Sequence, residues 1–161
     1  MDRTKSREMR CLEDVPEAGF KWHMHDISAV LGIESMKYID DNLRKQRGNA
    51  DYYYMKLHKR KIIKCKPLKR DKKKLSSFWL YTLLVEDRGG FIEFMEKNGI
   101  HASRAHVRND AYGCLKQSKI RQLPGVDYFD SHQVNIPVGW WVTLEDRKYI
   151  IDTIDKWDKE R

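Results

Sequence analysis

The eight residues 78–85, FWLYTLLV, constrain this chain most. They are apolar or aromatic at odd and even positions alike. Side chains on a strand alternate between faces, so a strand of this composition needs cover on both sides. The sequence around it supplies that cover. D-R-G-G at 87–90 is a turn, and residues 91–98 predict a short amphipathic helix with Phe91, Ile92 and Met95 inward. Gly99 stands where a left-handed helix cap belongs. Residues 100–107 read as the next strand. Residues 109–133 read as short helical pieces and loops around Pro124 and Gly125, and 134–138 as a short strand whose Pro137 suits an edge or a strand end. Thr143 opens the last helix. T-L-E-D is a capping box with Asp in place of the usual Glu or Gln, and Leu144, Ile150, Ile151, Ile154 and Trp157 form the helix's apolar side. Strands interspersed with helices predict an α/β (α+β) fold, a two-layer sandwich of a small mixed or antiparallel sheet with helices.

A long N-terminal helix precedes this unit. Residues 1–18 are charged and aperiodic, with Pro16 against a helix, and predict an extended arm. G-F-K-W-H-M-H-D at 19–26 is a polar, aromatic loop. Asp26 is a suitable N-cap, and Ile27, Val30, Leu31, Met36, Ile39 and Leu43 fall on one helical stripe. A second run from Arg47 to Leu57 carries Tyr52, Tyr53 and Tyr54, and one helix kinked near Gly48 fits as well. Such a helix is too long for a small domain to satisfy, so its stripe is expected to pack on another domain or a partner chain.

Charge narrows the function. The net charge is +8, yet residues 56–74 alone hold eleven Lys or Arg against one Asp, leaving the rest slightly acidic. Pro67 divides this segment between a β-like piece at Ile62 and Ile63 and a lysine run. A phosphate-binding patch and a solvated loop or hairpin tip both fit. The second is favoured, because no aromatics interleave with the lysines for base stacking. No apolar run approaches a membrane span, and the charged N-terminus has no signal core, which points to the cytoplasm. Three scattered cysteines without a C-x-x-C speak against a disulfide framework or a zinc site.

Three clusters contain groups capable of chemistry. Lys21, His23, His25 and Asp26 place two histidines two residues apart, with no convincing third metal ligand. His106, Arg108, Asn109 and Asp110 close a strand. There Arg108 suits a phosphate or carboxylate while His106 and Asn109 offer hydrogen bonds, or the loop satisfies its own backbone. Gly139-Trp140-Trp141 fits a stacking wall for a sugar or, as favoured here, a core or interface anchor. No nucleophile elbow, P-loop, H-E-x-x-H or dinucleotide fingerprint occurs.

G-F-K-W-H-M-H-D-I-S-A-V-L-G-I, SFWLYTLLVE, H-V-R-N-D, LPG, and Q-V-N-I-P-V-G-W-W with T-L-E-D-R-K-Y-I resemble, in order and spacing, segments of the DegT/DnrJ/EryC1/StrS family. These are fold-type-I, pyridoxal-phosphate-dependent sugar aminotransferases. The pattern departs at His25, where the family usually has Asn. The resemblance covers nearly the whole chain and implies the family's C-terminal part: an arm and loop over 1–25, an interdomain helix over 26–57 and the small domain over 58–161. The family's Schiff-base lysine lies in a motif upstream of the G-F-K-W loop, and nothing in residues 1–18 is similar to it. The resemblance therefore implies a fragment that does not transaminate alone. It implies a homodimeric full enzyme acting on a nucleotide-sugar with pyridoxal 5'-phosphate. It implies cofactor-binding roles for Lys21 and His23 in a loop reaching the neighbour's cofactor phosphate, and substrate-binding roles for His106, Arg108 and Asn109. It assigns no catalytic residue and no metal to this chain. Two rival readings remain: a stand-alone interaction module using the helix stripe, and a nucleic-acid or acidic-partner binder using residues 56–74.

Overall fold

Of the doubly apolar segment 78–85, Tyr81–Val85 forms a central strand, while Phe78, at φ +51°, starts the turn that leads into it, and the layers assemble around that strand. The computed structural model describes residues 24–69, 75–115 and 122–160. Their elements in chain order are α1 (Asp26–Met36), α2 (Ile39–Lys59), β1 (Cys65–Pro67), β2 (Tyr81–Val85), α3 (Arg88–Lys97), α4 (Pro124–His132), β3 (Gln133–Ile136) and α5 (Leu144–Glu160). Two 3-10 turns, Asn109–Ala111 and Gly113–Leu115, precede α4.

The sheet is antiparallel, in the order β1-β2-β3. Cys65 pairs with Val85 and Pro67 with Leu83, while Tyr81 pairs with Ile136 and Leu84 with Gln133. Tyr81, Leu83 and Val85 are buried and Thr82 and Leu84 are half-buried, so both faces of β2 are covered. Pro67 sits at the end of an edge strand, where its missing N–H breaks no ladder. On the helical side, α5 lies between α2 and α3. Tyr53 meets Tyr81 edge-on at 5.2 Å, and Phe91 meets Trp157 at 5.7 Å. Phe91, Met95, Leu57, Ile151 and Ile154 are fully buried in the same cluster. Such side chains each contribute roughly 1.5–3 kcal/mol by leaving water.

Local chemistry sets the ends. Thr143 and Asp146 form the reciprocal box: the Asp146 N–H donates to the Thr143 hydroxyl at 3.1 Å, and the Thr143 N–H and hydroxyl donate to the Asp146 carboxylate at 3.0 and 2.8 Å. Those two bonds, the backbone one first, hold the Asp146 carboxyl below its ordinary value. Asp87 caps α3 by accepting from the Gly90 N–H, and Gly99 takes φ +72° behind its C-terminus.

Several expectations shift. The break in the N-terminal helix falls at Lys37–Tyr38, not near Gly48, and α2 runs on to Lys59. Asp26 is the first helical residue, and the N-cap is His25, whose Nδ1 accepts from the Ser28 N–H at 3.4 Å. Ile62 and Ile63 are not strand, because α2's cap extends through Ile62 and β1 starts at Cys65. Residues 100–107 form no ladder strand. Ser103 bridges Asn135, and that exchange of backbone bonds is the whole pairing. Leu144 is exposed, because the capping box holds the first turn of α5 beyond the core. The basic stretch is shared among the end of α2, β1 and the connection that follows, with residues 70–74 outside the described set.

The apolar residues of α1 do not form a stripe. Ile27, Val30, Leu31, Ile33 and Met36 point round the helix, and no residue of α1 is buried.

Candidate functional site

The middle of α2 holds two loops that present tryptophans. Gln46 Nε2 donates to the Phe78 carbonyl at 2.7 Å, and Arg47 Nε donates to the Ser76 carbonyl at 2.9 Å. Phe78 has φ +51°, a left-handed conformation that a bulky side chain rarely adopts. These bonds hold it there, and the chain turns so that Phe78 packs on the core while Trp79 stays exposed. One turn further along α2, buried Asn49 donates to the Gly139 carbonyl at 3.0 Å and the Val142 carbonyl at 3.1 Å. Arg147 NH1 donates to Asn49 Oδ1 at 3.4 Å. The turn so held carries Trp140 and Trp141, which meet edge-on at 5.7 Å. Both indoles are solvent-exposed in this chain, so the core half of the core-or-interface expectation fails. The turn is clamped from beneath through its carbonyls, which leaves the rings outside. Trp141 folds back over Gly139, where a Cβ would run into the six-membered ring.

The stretch 104–110 lies beside Trp79. The rings of Trp79 and His106 meet edge-on at 5.7 Å, and His106 is exposed. Its carbonyl accepts from Gln133 Nε2 at 2.7 Å and Arg104 Nε at 3.2 Å. Gln133 is buried in β3, so the loop is tied to the sheet although it pairs with it at one bridge. Arg108 donates to both carboxylate oxygens of Asp110, at 2.8 and 2.6 Å, and also pairs with Asp127 at the start of α4. Asp110 is held below its ordinary pKa by the Arg108 guanidinium, whose own value is raised by the same bonds. Arg104 pairs with Asp130 at 3.6 Å, and Arg88 NH1 donates to the Asp130 carbonyl. Asn109 is exposed, and its carbonyl accepts from the Tyr112 N–H at 3.2 Å.

The structure therefore brings His106, Arg108 and Asn109 onto one short loop. It exposes His106 and Asn109 and engages Arg108 with two carboxylates. Lys21 and His23 lie outside the described residues. Sequence reasoning missed Trp79, Gln46, Asn49 and Gln133. Only Trp79 carried a signal, a large aromatic at the mouth of a strand; the other three work through contacts 27 to 93 residues away in sequence. Among the described residues no group of three or more His, Cys, Asp or Glu is placed to hold a metal, and no helix is long and apolar enough to cross a membrane. The 104–110 loop does not by itself fit pyridoxal phosphate. Both arginines of the loop are already paired with carboxylates, Arg104 with Asp130 and Arg108 with Asp110 and Asp127, and an anionic phosphate there would meet those groups.

Comparison with known proteins gives a consistent placement. The sequence profile described as the DegT/DnrJ/EryC1/StrS aminotransferase family matches residues 1–155. A relative from Campylobacter jejuni subsp. jejuni, named UDP-4-amino-4,6-dideoxy-N-acetyl-beta-L-altrosamine transaminase, is 25% identical over 146 residues, covering 88% of this chain and 39% of its own length. The sugar aminotransferase CalS13 from Micromonospora echinospora superposes with a TM-score of 0.77 at 33% identity, over 86% of this chain and 37% of that one. AtS13 from Actinomadura melliaura gives 0.76 at 37% identity, over 96% and 40%. The chain thus spans about two fifths of the length of such relatives. With profile, relatives and three-dimensional fold in agreement, the chain belongs to the DegT/DnrJ/EryC1/StrS aminotransferase family.

Proposed function

We propose that the chain is the C-terminal part of a pyridoxal-phosphate-dependent aminotransferase that moves an amino group onto a keto-sugar nucleotide. The observation that carries this reading is the family match over residues 1–155 on a fold shared with sugar aminotransferases. The nucleotide-sugar class follows the name of the Campylobacter relative. The cofactor, when bound, supplies an electron sink for exchanging the amino group.

In this reading residues 1–25 are an arm and loop, 26–57 an interdomain segment and 58–161 the small domain. Lys21 and His23 contribute to the cofactor phosphate of the neighbouring subunit, where a cation suits a dianion. His106 and Asn109 reach the substrate beside Trp79. Arg108 shapes the loop through Asp110 and Asp127, so its contact with substrate requires one of those carboxylates to be displaced. The α1 helix supports the reading as well: a helix apolar all round is stable when covered, and the rest of the enzyme and the second subunit of a homodimer are the cover. In this reading the enzyme works in the cytoplasm.

The test is borohydride reduction of the chain with pyridoxal phosphate, followed by peptide mapping. The expected result is no specific pyridoxyl-lysine. Stoichiometric labelling of a single lysine would overturn the assignment of the Schiff-base residue to sequence outside this chain.

A further inference from the structure

An open cavity of about 430 Å³ lies between the C-terminal end of α2 and the edge strand β1. Leu57, Ile62, Ile63 and Pro67 give it apolar walls, and Tyr54 and His58 also line it. Their rings lie 4.3 Å apart, centroid to centroid. His58 Nδ1 is 2.9 Å from the Tyr54 carbonyl. A carbonyl only accepts, so Nδ1 carries the proton, and this bond fixes the imidazole against the phenol. Three lysines complete the lining: Lys61, Lys66 and Lys69.

Three of the nearby cations are engaged away from the cavity. Arg60 pairs with Asp152 and Asp155, Lys64 Nζ donates to the Asp158 carbonyl, and Lys56 lies over the Tyr52 ring. Lys61, Lys66 and Lys69 have no ion pair among the described residues. Arg60 is thus neutralised by α5 and Lys64 is tied to its backbone, whereas the three cavity lysines have neither kind of contact among the described residues. Lys61 is also held in an unusual backbone state. Its N–H donates to the His58 carbonyl at 3.1 Å and the Ile62 N–H to the Leu57 carbonyl at 3.2 Å, a Schellman cap whose left-handed position normally takes glycine. Here that position is a lysine with φ +56°. Strained backbone of this kind concentrates at binding sites.

We propose that this cavity binds a planar aromatic compound carrying a phosphate, with its ring against the Tyr54–His58 pair and its phosphate among Lys61, Lys66 and Lys69. The volume lies in the range of small-ligand sites. A single concave site of this size takes one such group, whereas a nucleic-acid strand requires a continuous track of cations and stacking rings. The proposal is independent of the transaminase reading, since it uses none of its residues.

The experiment titrates the whole chain by calorimetry with adenosine 5'-monophosphate, adenosine and inorganic phosphate at two salt concentrations. The monophosphate is expected to saturate at one site, to weaken at higher salt and to bind more tightly than either half alone. Lys66→Gln and Lys61→Gly are each expected to weaken it by about tenfold, the effect of losing a charge-assisted contact. Lys61→Gly relieves the left-handed strain and keeps the fold, so its loss of binding reads the missing cation. Lys97→Gln on α3 is the control and leaves binding unchanged. The proposal is overturned if phosphate alone matches the monophosphate, if both cavity variants bind as the parent does, if binding fails to saturate, or if only an oligonucleotide binds.

Discussion

Helices α1 and α5 are both rich in isoleucine, and they have opposite fates. In α5, Ile150, Ile151, Ile154 and Trp157 fall on one side and are buried, while the other side carries Asp152, Asp155, Lys156 and Lys159. In α1, Ile27, Val30, Leu31, Ile33 and Met36 point in all directions, and Leu31 is 63% exposed. A helix with one apolar side is satisfied by one neighbour, whereas a helix apolar all round needs several. α5 is completed within this chain, and α1 is built for surroundings that the chain's own core does not provide.

The largest effect that tests this contrast is a truncation in each helix. Ile154→Ala should cost about 2–5 kcal/mol in urea unfolding, while Leu31→Ala should stay within about 0.5 kcal/mol in the chain alone. Equal costs would mean that α1 is packed. Next comes Asn49→Ala, which strips two inward carbonyls of their donor. A loss of about 2 kcal/mol is expected, together with a change in the fluorescence of Trp140 and Trp141. Unfolding cost with unchanged fluorescence would break the link between α2 and the tryptophan turn. Thr143→Ala removes the cap of α5 and should cost about 1 kcal/mol. Its partner Asp146 has a lowered pKa, so its contribution is complete above the ordinary value of 3.8 and is lost as pH falls through its own lower value. The parent should therefore lose stability on acidification in that window more steeply than Thr143→Ala does. The smallest effect is Lys61→Gly, with a gain of up to about 1 kcal/mol from relief of the left-handed strain; a loss would mean that the Lys61 side chain contributes packing.

The sequence makes the elements with local causes legible. The T-L-E-D box, the cap at Gly99, the doubly covered strand and the buried side of α5 all follow from spacing and residue type. Residues 100–107 read as a strand in the sequence, but a segment becomes one only where a neighbour offers a free edge along its length. Here β3 meets them at Ser103, and Gln133 then takes the His106 carbonyl with its side chain. The sequence fits either a second helical run from Arg47 or one helix kinked near Gly48, yet Gly48 is carried within α2 between the partners of two loops, and the chain breaks at Lys37–Tyr38 instead. Within the candidate site, His106, Arg108 and Asn109 were visible as a polar cluster. That Asp127 would close on Arg108 was not, because the two lie nineteen positions apart in sequence.

The pinning of α2 has a mechanical consequence. Its middle is fixed to two loops by Gln46, Arg47 and Asn49, and its far end to α5 by Arg60. It therefore behaves as a rod bolted at two stations, with a joint at Lys37–Tyr38 immediately in front. The direction of α1 is therefore set by that single turn, while the tryptophan loops take their register from the part of α2 behind it.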